Sequence, residues 1–196
     1  DANNLIYAAG GNDAVYSGSG DDQLYGEGGD DLIFGKLGND RIYGGMGADN
    51  LNGDDSAFGT AGGNDFIDGG EDNDLILGQA GSDILLGGDG KDILNGDDPT
   101  APNSGNNNDW LEGGAGEDFL LGAAGDDALS GGADHDILLG DATVSNGGTP
   151  EAGGADSLDG GTGDDQLYGL YGDDLLVGGI GNDYLSGQDG RDVLEG

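Results

Sequence analysis

Apolar and polar positions recur along this chain with a period of nine residues. In a nonapeptide frame from Ala8 to Glu195, the eighth position is Val, Ile or Leu in each of eighteen units. The first six positions are dominated by glycine and aspartate. One inward-facing aliphatic side chain between two variable neighbours indicates a strand of three residues, and the glycine-rich positions indicate a tight turn. Turns and short strands that repeat in one direction predict a solenoid of parallel strands.

The sixth position is aspartate in all eighteen units. These residues are Asp13, Asp22, Asp31, Asp40, Asp49, Asp65, Asp74, Asp83, Asp92, Asp109, Asp118, Asp127, Asp136, Asp156, Asp165, Asp174, Asp183 and Asp192. On stacked turns about 4.8 Å apart, they would form columns of carboxylates too close together to stay unpaired. An Asx-type turn explains single cases of this kind, but not eighteen in one acidic chain. The columns therefore predict cation binding.

The glycine positions predict the backbone of the turn. The fourth position is glycine in fifteen units, and the exceptions are Asp72, Asn107 and Asp134. Aspartate and asparagine are the non-glycine residues that best tolerate a left-handed backbone, so this position is predicted to need a positive φ. The second position is glycine in odd units from the fifth onward, whereas even units carry residues such as Lys36 and Ala61. This difference predicts that the loops of odd-numbered units form one regular edge of the roll, called the odd edge below. The loops of even-numbered units form the other, decorated edge, called the even edge.

Three insertions interrupt the period, around residues 53–59, 96–103 and 140–150. They fall in the sixth, tenth and fourteenth units, so with two units per turn they emerge from one edge at every second turn. We expect them to provide partner contacts or additional acidic sites, although solvated loops are the simpler interpretation. Their acidic residues are Asp54, Asp55, Asp97, Asp98 and Asp141.

The charge of the chain explains why a cation is needed. It has 41 acidic and 4 basic residues, a formal net charge of -37, no cysteine and one histidine. Such a chain repels itself, and one regularly placed aliphatic per nine residues makes only a thin core. Oxygen ligands without thiolates favour calcium, because magnesium needs a stricter octahedron and zinc prefers nitrogen and sulfur. About sixteen calcium ions would bring ~32 positive charges.

Several function classes are disfavoured by composition. Four basic residues cannot neutralise many phosphates, so nucleic acid and anionic membranes are poor partners. No apolar run is long enough to cross a bilayer, so no membrane insertion is expected. The first residues lack the basic and apolar plan of a secretory signal peptide. We therefore expect a mature segment, an excised piece, or a protein exported by a route that needs no N-terminal signal.

The nonapeptides GGDGKDILN, GGAGEDFLL and GGIGNDYLS resemble the repeats of the haemolysin-type (RTX, repeats-in-toxin) calcium-binding β-roll family. The resemblance covers nearly the whole chain. It implies an all-β fold, a right-handed parallel β-roll with two nonapeptides per turn, here about nine turns and roughly 43 Å long.

The resemblance also implies where each calcium ion lies. Ions would sit between loops of consecutive turns, held by the sixth-position carboxylates and by backbone oxygens of loop glycines. Those glycines are Gly45, Gly47, Gly88, Gly90, Gly114, Gly116, Gly161, Gly163, Gly179 and Gly181. Departures from glycine on the even edge predict that some sites there are weaker or absent.

The family is bacterial, is exported largely by one-step type I secretion and folds outside the cell. The resemblance therefore implies that residues 1–196 are a calcium-binding structural module, extracellular or on the cell surface, within a larger adhesin, surface-layer protein, toxin or secreted enzyme. In calcium-poor cytosol the chain should stay unfolded, and millimolar calcium should drive folding. Expected partners are calcium ions and flanking domains or further copies.

Two other function classes stay open. An enzyme is disfavoured, because the repeat accounts for the carboxylates and His135 occupies a variable position without a distinctive partner. A binding or self-assembly module would contact a carbohydrate, a surface or identical copies through exposed faces and insertions. The last unit, GQDGRDVLEG, has no capping segment, which favours continuation, a neighbouring domain or stacking on another copy.

Aromatic residues are the main sign of a binding surface. Tyr7, Tyr16, Tyr25, Phe34 and Tyr43 occupy ninth positions or their equivalent and should form two ladders on opposite faces. Such ladders are either cross-strand packing or a ligand platform. Trp110, beside an insertion, is a candidate contact. An ice-binding surface is excluded because no regular row of threonines is present.

Overall fold

The computed structural model describes residues 2–54, 62–97, 107–142 and 153–196, and in these ranges the regular structure consists of strands. The strands are β1 (Leu5–Tyr7), β2 (Ala14–Ser19), β3 (Gln23–Gly28), β4 (Leu32–Leu37), β5 (Arg41–Met46), β6 (Asn50–Asn52), β7 (Phe66–Glu71), β8 (Leu75–Gln79), β9 (Ile84–Asp89), β10 (Ile93–Asp97), β11 (Trp110–Ala115), β12 (Phe119–Ala123), β13 (Ala128–Ala133), β14 (Ile137–Asp141), β15 (Ser157–Thr162), β16 (Gln166–Tyr171), β17 (Leu175–Val177), β18 (Tyr184–Asp189) and β19 (Val193–Glu195). No helix in the described ranges is long and apolar enough to span a bilayer.

The strands form two parallel sheets. The first sheet contains the ten odd-numbered strands and the second sheet contains the nine even-numbered strands, each in chain order. Each strand from β1 to β17 pairs with the strand two places further along the chain, so that Val15 faces Ile33 in the second sheet and Leu24 faces Ile42 in the first. Where no insertion intervenes, the paired residues are 18 positions apart, which is two nonapeptides per coil. The predicted all-β, parallel β-roll is confirmed.

The core is a single column of aliphatic side chains between the two sheets. Eighth-position residues from Leu24 to Leu176 are at most 2% exposed. Seventh and ninth positions point outward because side chains alternate along a strand. In the last coil Leu194 is 46% exposed, since no further coil covers it in the described chain. The predicted inward direction of the eighth position is therefore confirmed in the interior coils.

The insertions begin two residues later than the sequence suggests. Across them the offset between hydrogen-bonded aspartates rises from 18 to 25, 26 and 29, so they contain 7, 8 and 11 extra residues. Asp97 pairs with Gln79, and Asp141 pairs with Ala123, both second-position residues. The extra residues therefore lie between the second and third positions of the loop. Ala61, expected at a second position, lies outside the described residues, and Asp54 takes that place.

The backbone is left-handed at two positions of each regular loop rather than one. Asp72 and Asp134 have φ values of 78° and 79°, as predicted for the fourth position. Second-position residues are also left-handed, including Lys36 at 79° and Leu170 at 80°, at a cost of about 1–2 kcal/mol each. The fourth-position prediction is wrong at Gly63, Asn107, Gly154 and Gly181. Three of these four lie directly after an insertion.

The fifth position, which appears variable in sequence, forms a hydrogen-bonded ladder along the even edge. Each side-chain oxygen accepts the backbone N–H of the fifth-position residue in the next coil, at 2.7 to 3.2 Å. The acceptors are Asn3, Asp21, Asn39, Asn64, Ser82, Asn108 and Asp126. On the odd edge, His135 Nδ1 accepts the N–H of Asp164 at 2.7 Å, so His135 serves as a member of the equivalent ladder.

We predict that Ala48→Asn stabilises the calcium-loaded roll by about 0.5–1.5 kcal/mol, because it adds an acceptor at a fifth position that has none. Asn108→Ala should lower the free energy of unfolding by a similar amount, because it removes the acceptor for Asp126 N–H. Urea unfolding in saturating calcium measures both changes. No effect in either variant would contradict a stabilising role for the ladder.

Candidate metal centres

The sixth-position aspartates form two columns, one along each edge of the roll. In each column, the backbone N–H of one aspartate donates to Oδ1 of the aspartate in the following coil. Asp74 N thus donates to Asp92 Oδ1, and Asp92 N donates to Asp118 Oδ1, both at 2.8 Å. One oxygen of each interior carboxylate is therefore used to join successive coils.

The second oxygen of these carboxylates has no donor. Fifteen of the eighteen aspartates are buried, at 0 to 3% exposure, and their Oδ2 atoms accept no hydrogen bond. They are Asp22, Asp31, Asp40, Asp49, Asp65, Asp74, Asp83, Asp92, Asp109, Asp118, Asp127, Asp136, Asp156, Asp165 and Asp174. Asp13, Asp183 and Asp192, in the end coils, are half-buried. A buried anionic oxygen without a partner is costly, so each interior carboxylate needs a proton or a cation.

Glycine at the first position makes room for this oxygen. A Cβ on Gly87 would lie 2.5 Å from Asp92 Oδ2 and 2.5 Å from the carbonyl oxygen of Gly113 in the next coil. The carboxylate and a backbone carbonyl thus share the cradle that a side chain would fill. Two facing acceptors repel each other unless a positive group lies between them. The cradle repeats at Gly113, where Asp118 Oδ2 and the Gly131 carbonyl occupy the same places.

These first-position glycines were not identified from the sequence as site residues. Glycine occupies the first position in every unit from the third onward, and Gly53, Gly96 and Gly140 precede the insertions. This recurrence is the sequence signal that points to the first-position glycines. The glycine pattern predicted ligand oxygens at the second and fourth positions instead. A requirement for close backbone approach, rather than for positive φ, keeps glycine at the first position.

The backbone oxygens expected as ligands lie along the odd edge. Gly161 O accepts the N–H of Ile180 at 2.8 Å, which leaves one of its two lone pairs. Gly90 O occupies the space that a Cβ on Gly116 would need, so it faces the loop of the next coil. The coordination assigned to these glycines stays a prediction.

Burial raises the pKa of the aspartates, most strongly on the even edge. The pKa rises from an ordinary value of 3.8 to about 8 for Asp65, Asp83, Asp109, Asp127 and Asp156. On the odd edge it rises to about 6 for Asp49 and Asp92 and to about 7 for Asp74 and Asp136. Desolvation is the main cause in each case, and neighbouring carboxylates add to it.

The aspartates that precede the insertions serve the roll itself. Asp54, Asp97 and Asp141 are 4%, 2% and 3% exposed, so the expectation that these three residues form partner contacts is wrong, and the alternative of additional acidic sites stays a prediction. Each accepts a hydrogen bond from the fourth position of its own loop: Asp54 Oδ2 from Gly63 N, Asp97 Oδ1 from Asn107 Nδ2 and Asp141 Oδ1 from Gly154 N. They tie the loop across the insertion. Asp55 and Asp98 lie outside the described residues.

Side chains alone do not complete a metal site in the described parts of the chain, where no three histidine or acidic side chains form a metal-holding group. A cation at an edge would take carboxylate oxygens from the column and its other ligands from backbone carbonyls. Calcium accepts six to eight oxygens in irregular geometry and therefore fits this donor set. The orphaned Oδ2 atoms and the glycine cradles are where it would bind.

The aromatic side chains form the two predicted ladders. Tyr7, Tyr25 and Tyr43 stack on the first sheet with ring centroids 4.8 and 4.9 Å apart. Tyr16 and Phe34 stack on the second sheet at 5.2 Å. Neighbouring rings cover each other's faces, which favours cross-strand packing over a platform on which a sugar ring could stack.

We predict that acid substitutes in part for the cation. Because burial raises the folded-state pKa of these aspartates, proton uptake favours the metal-free folded chain. This contribution is complete below the ordinary pKa of 3.8 and is lost as pH rises toward about 8. Circular dichroism in chelator should therefore show more strand structure at mildly acidic pH than at pH 8. A signal that does not change over this range would contradict the raised pKa values.

The comparisons with known proteins agree with this geometry. The family model for the RTX calcium-binding nonapeptide repeat (4 copies) matches residues 1–24, 25–57, 52–85, 59–94, 103–138, 152–185 and 168–196. No curated protein matches the chain. The RTX repeat is a structural calcium-binding repeat rather than a catalytic unit, and proteins that carry it are typically exported. With two parallel sheets, columns of buried carboxylates and family matches along its length, this chain belongs to the RTX calcium-binding nonapeptide repeat family.

Proposed function

We propose that this calcium-binding repeat module folds when it binds calcium outside the cell and serves as a structural part of an exported bacterial protein. The observation that carries the proposal is the orphaned Oδ2 atom of fifteen buried aspartates. A fold that buries so many carboxylates is disfavoured while they are charged and without partners. Cations between the coils remove this cost, so binding and folding are coupled.

The eighteen sixth-position aspartates are the proposed ligands. Fifteen of them are buried, and fourteen of these direct Oδ2 at a glycine cradle, the exception being Asp22, whose unit has Ser17 at the first position. First-position carbonyls such as that of Gly113 complete the nearest part of the shell. The second- and fourth-position carbonyls named from the family pattern are proposed as further ligands. About sixteen divalent ions, one for each junction between successive loops on an edge, would nearly balance the net charge of -37.

Weak individual sites suit this role. External calcium modules have dissociation constants of roughly 10⁻⁴ to 10⁻³ M, which lie far above cytosolic calcium. A chain with these affinities stays unfolded inside the cell and gains stability by mass action outside it. The proposed parent protein is an adhesin, a surface-layer protein, a toxin or a secreted enzyme. The module itself has no catalytic role.

A calcium titration followed by circular dichroism tests the gating. In chelator at pH 8 we expect little strand signal, and millimolar calcium should restore it cooperatively. Magnesium is the control, because its stricter octahedral geometry and firmly held waters suit these carbonyl-rich loops poorly. Strand structure already complete in chelator at pH 8 would overturn the gating. An equal response to magnesium would overturn the choice of ion.

Two matched aspartate variants test the ligands. Asp92→Asn keeps an oxygen to accept Asp74 N–H but removes the charge from the orphaned position. In saturating calcium it should lower the free energy of unfolding by about 3 kcal/mol, the scale of a broken buried ionic contact. Asp126→Asn removes the same charge from an exposed fifth position, keeps the acceptor for Ala155 N–H and should change stability little.

The same pair behaves differently without calcium. In chelator at low pH, where carboxylates are protonated, Asp92→Asn should be about as stable as the parent chain, because a neutral amide then replaces a neutral acid. Urea unfolding under both conditions gives the comparison. Equal destabilisation of Asp92→Asn with and without calcium would mean that the residue is a purely structural turn residue.

A further inference from the structure

On the outer side of the second sheet, the seventh and ninth positions carry no charged side chain in the described residues, although 23% of the chain is charged. The nearest cation is Lys36, at the second position of β4, whose Nζ lies 5.6 Å from the ring centroid of Tyr16 at one end of the sheet. This uncharged face consists of the seventh- and ninth-position residues of β2 to β18. They are Ala14, Tyr16, Leu32, Phe34, Asn50, Asn52, Leu75, Leu77, Ile93, Asn95, Phe119, Leu121, Ile137, Leu139, Gln166, Tyr168, Tyr184 and Ser186. At the average frequency of charge, about four of these eighteen positions would be charged.

The first sheet is different. Its corresponding positions include Arg41, Asp68, Glu112, Asp159 and Glu195. Both faces are built on the same repeat with the same strand geometry, so the repeat itself does not dictate the difference. Exposure to solvent explains the charged residues on the first sheet. The absence of charged residues at the seventh and ninth positions of the second sheet requires another explanation.

The centre of the uncharged face is an apolar grid on four adjacent strands. Leu75, Ile93, Phe119 and Ile137 lie in register across β8, β10, β12 and β14. Leu77, Leu121 and Leu139 line the parallel row, in which Asn95 is the one polar residue. Ile93 is 47% exposed and Phe119 is 36% exposed. A contiguous apolar patch of this kind on a strongly acidic protein marks an interaction surface.

We propose that a second copy of this chain covers the uncharged face, with the two second sheets packed against each other. A twofold interface brings the same surface from each protomer together, so a face without charge is complementary to itself. On the first sheet, the carboxylates of Asp68, Glu112 and Asp159 disfavour self-packing. Two sheets that pack face to face lie about 10 Å apart, and side chains of this size fill that space.

The uncharged face is long and narrow. Nine strands spaced about 4.8 Å apart span ~38 Å, and the three residues from the seventh to the ninth position span ~10 Å. Their product, roughly 380 Å² of projected area on each protomer, is about half of the ~800 Å² that each partner contributes to a standard protein interface. The dimensions therefore fit a small, reversible dimer at the low end of interface sizes.

This inference rests on the proposed function, because two chains of charge -37 repel each other strongly without calcium. Calcium both builds the sheet and neutralises its edges. Association is therefore expected only for the calcium-loaded chain, and it should strengthen with added salt, which screens the remaining repulsion.

Sedimentation equilibrium of the chain in saturating calcium tests the inference, with two matched lysine variants. Ile93→Lys places a charge at the centre of the uncharged face, and Ile84→Lys places the same charge at an equivalent position of the first sheet, where the side chain is 44% exposed. Lysine makes the net charge less negative, so weaker association cannot come from greater overall repulsion. The parent chain should sediment at twice its mass of 19.3 kDa.

Ile93→Lys should weaken this dimer at least about tenfold, as expected for a charge buried at the centre of an interface, and Ile84→Lys should leave it unchanged. A folded parent chain that stays monomeric at high micromolar concentration overturns the inference. A dimer that is insensitive to Ile93→Lys, or sensitive only to Ile84→Lys, also overturns it. Circular dichroism on the same samples keeps the two proposals apart: a monomer with a full calcium-dependent strand signal rejects dimerisation alone, whereas a chain without that signal rejects calcium-driven folding.

Discussion

The contact between an aspartate of one coil and the backbone of the preceding coil is the constraint on which the roll depends. Oδ1 of each interior sixth-position aspartate accepts a backbone N–H, which brings the loops into register and carries the carboxylate into the interior. The same contact leaves Oδ2 buried and unsatisfied. A single side chain thus creates the order of the coil stack and the electrostatic problem that a cation must solve.

Most of the fold could be predicted because the eighth and sixth positions carry its two strongest physical signals. An aliphatic residue every nine positions requires a thin core between two sheets, and the column from Leu24 to Leu176 has this form. An invariant aspartate predicted the two columns of carboxylates. The spacing of the insertions predicted that they share one edge, because a shift of one nonapeptide moves a loop to the opposite edge.

The details that could not be predicted depend on contacts between coils. The second position needs a left-handed backbone as well as the fourth, yet Lys36 and Leu170 occupy it, so glycine is not a reliable guide there. The glycine at the first position is required by the carboxylate beside it, which a linear sequence does not reveal. Asp54 and Asp141 resemble loop residues in sequence but tie the roll across each insertion.

The two ladders at neighbouring positions run in opposite directions. At the sixth position the earlier coil donates its N–H and the later coil accepts, whereas at the fifth position the later coil donates and the earlier coil accepts. A junction whose fifth position carries an acceptor therefore has one donor and one acceptor from each of the two coils. An array of this kind can gain or lose whole coils of 18 residues and form the same pair of contacts at each new junction of this type, so the gene that encodes it can change its length by whole coils.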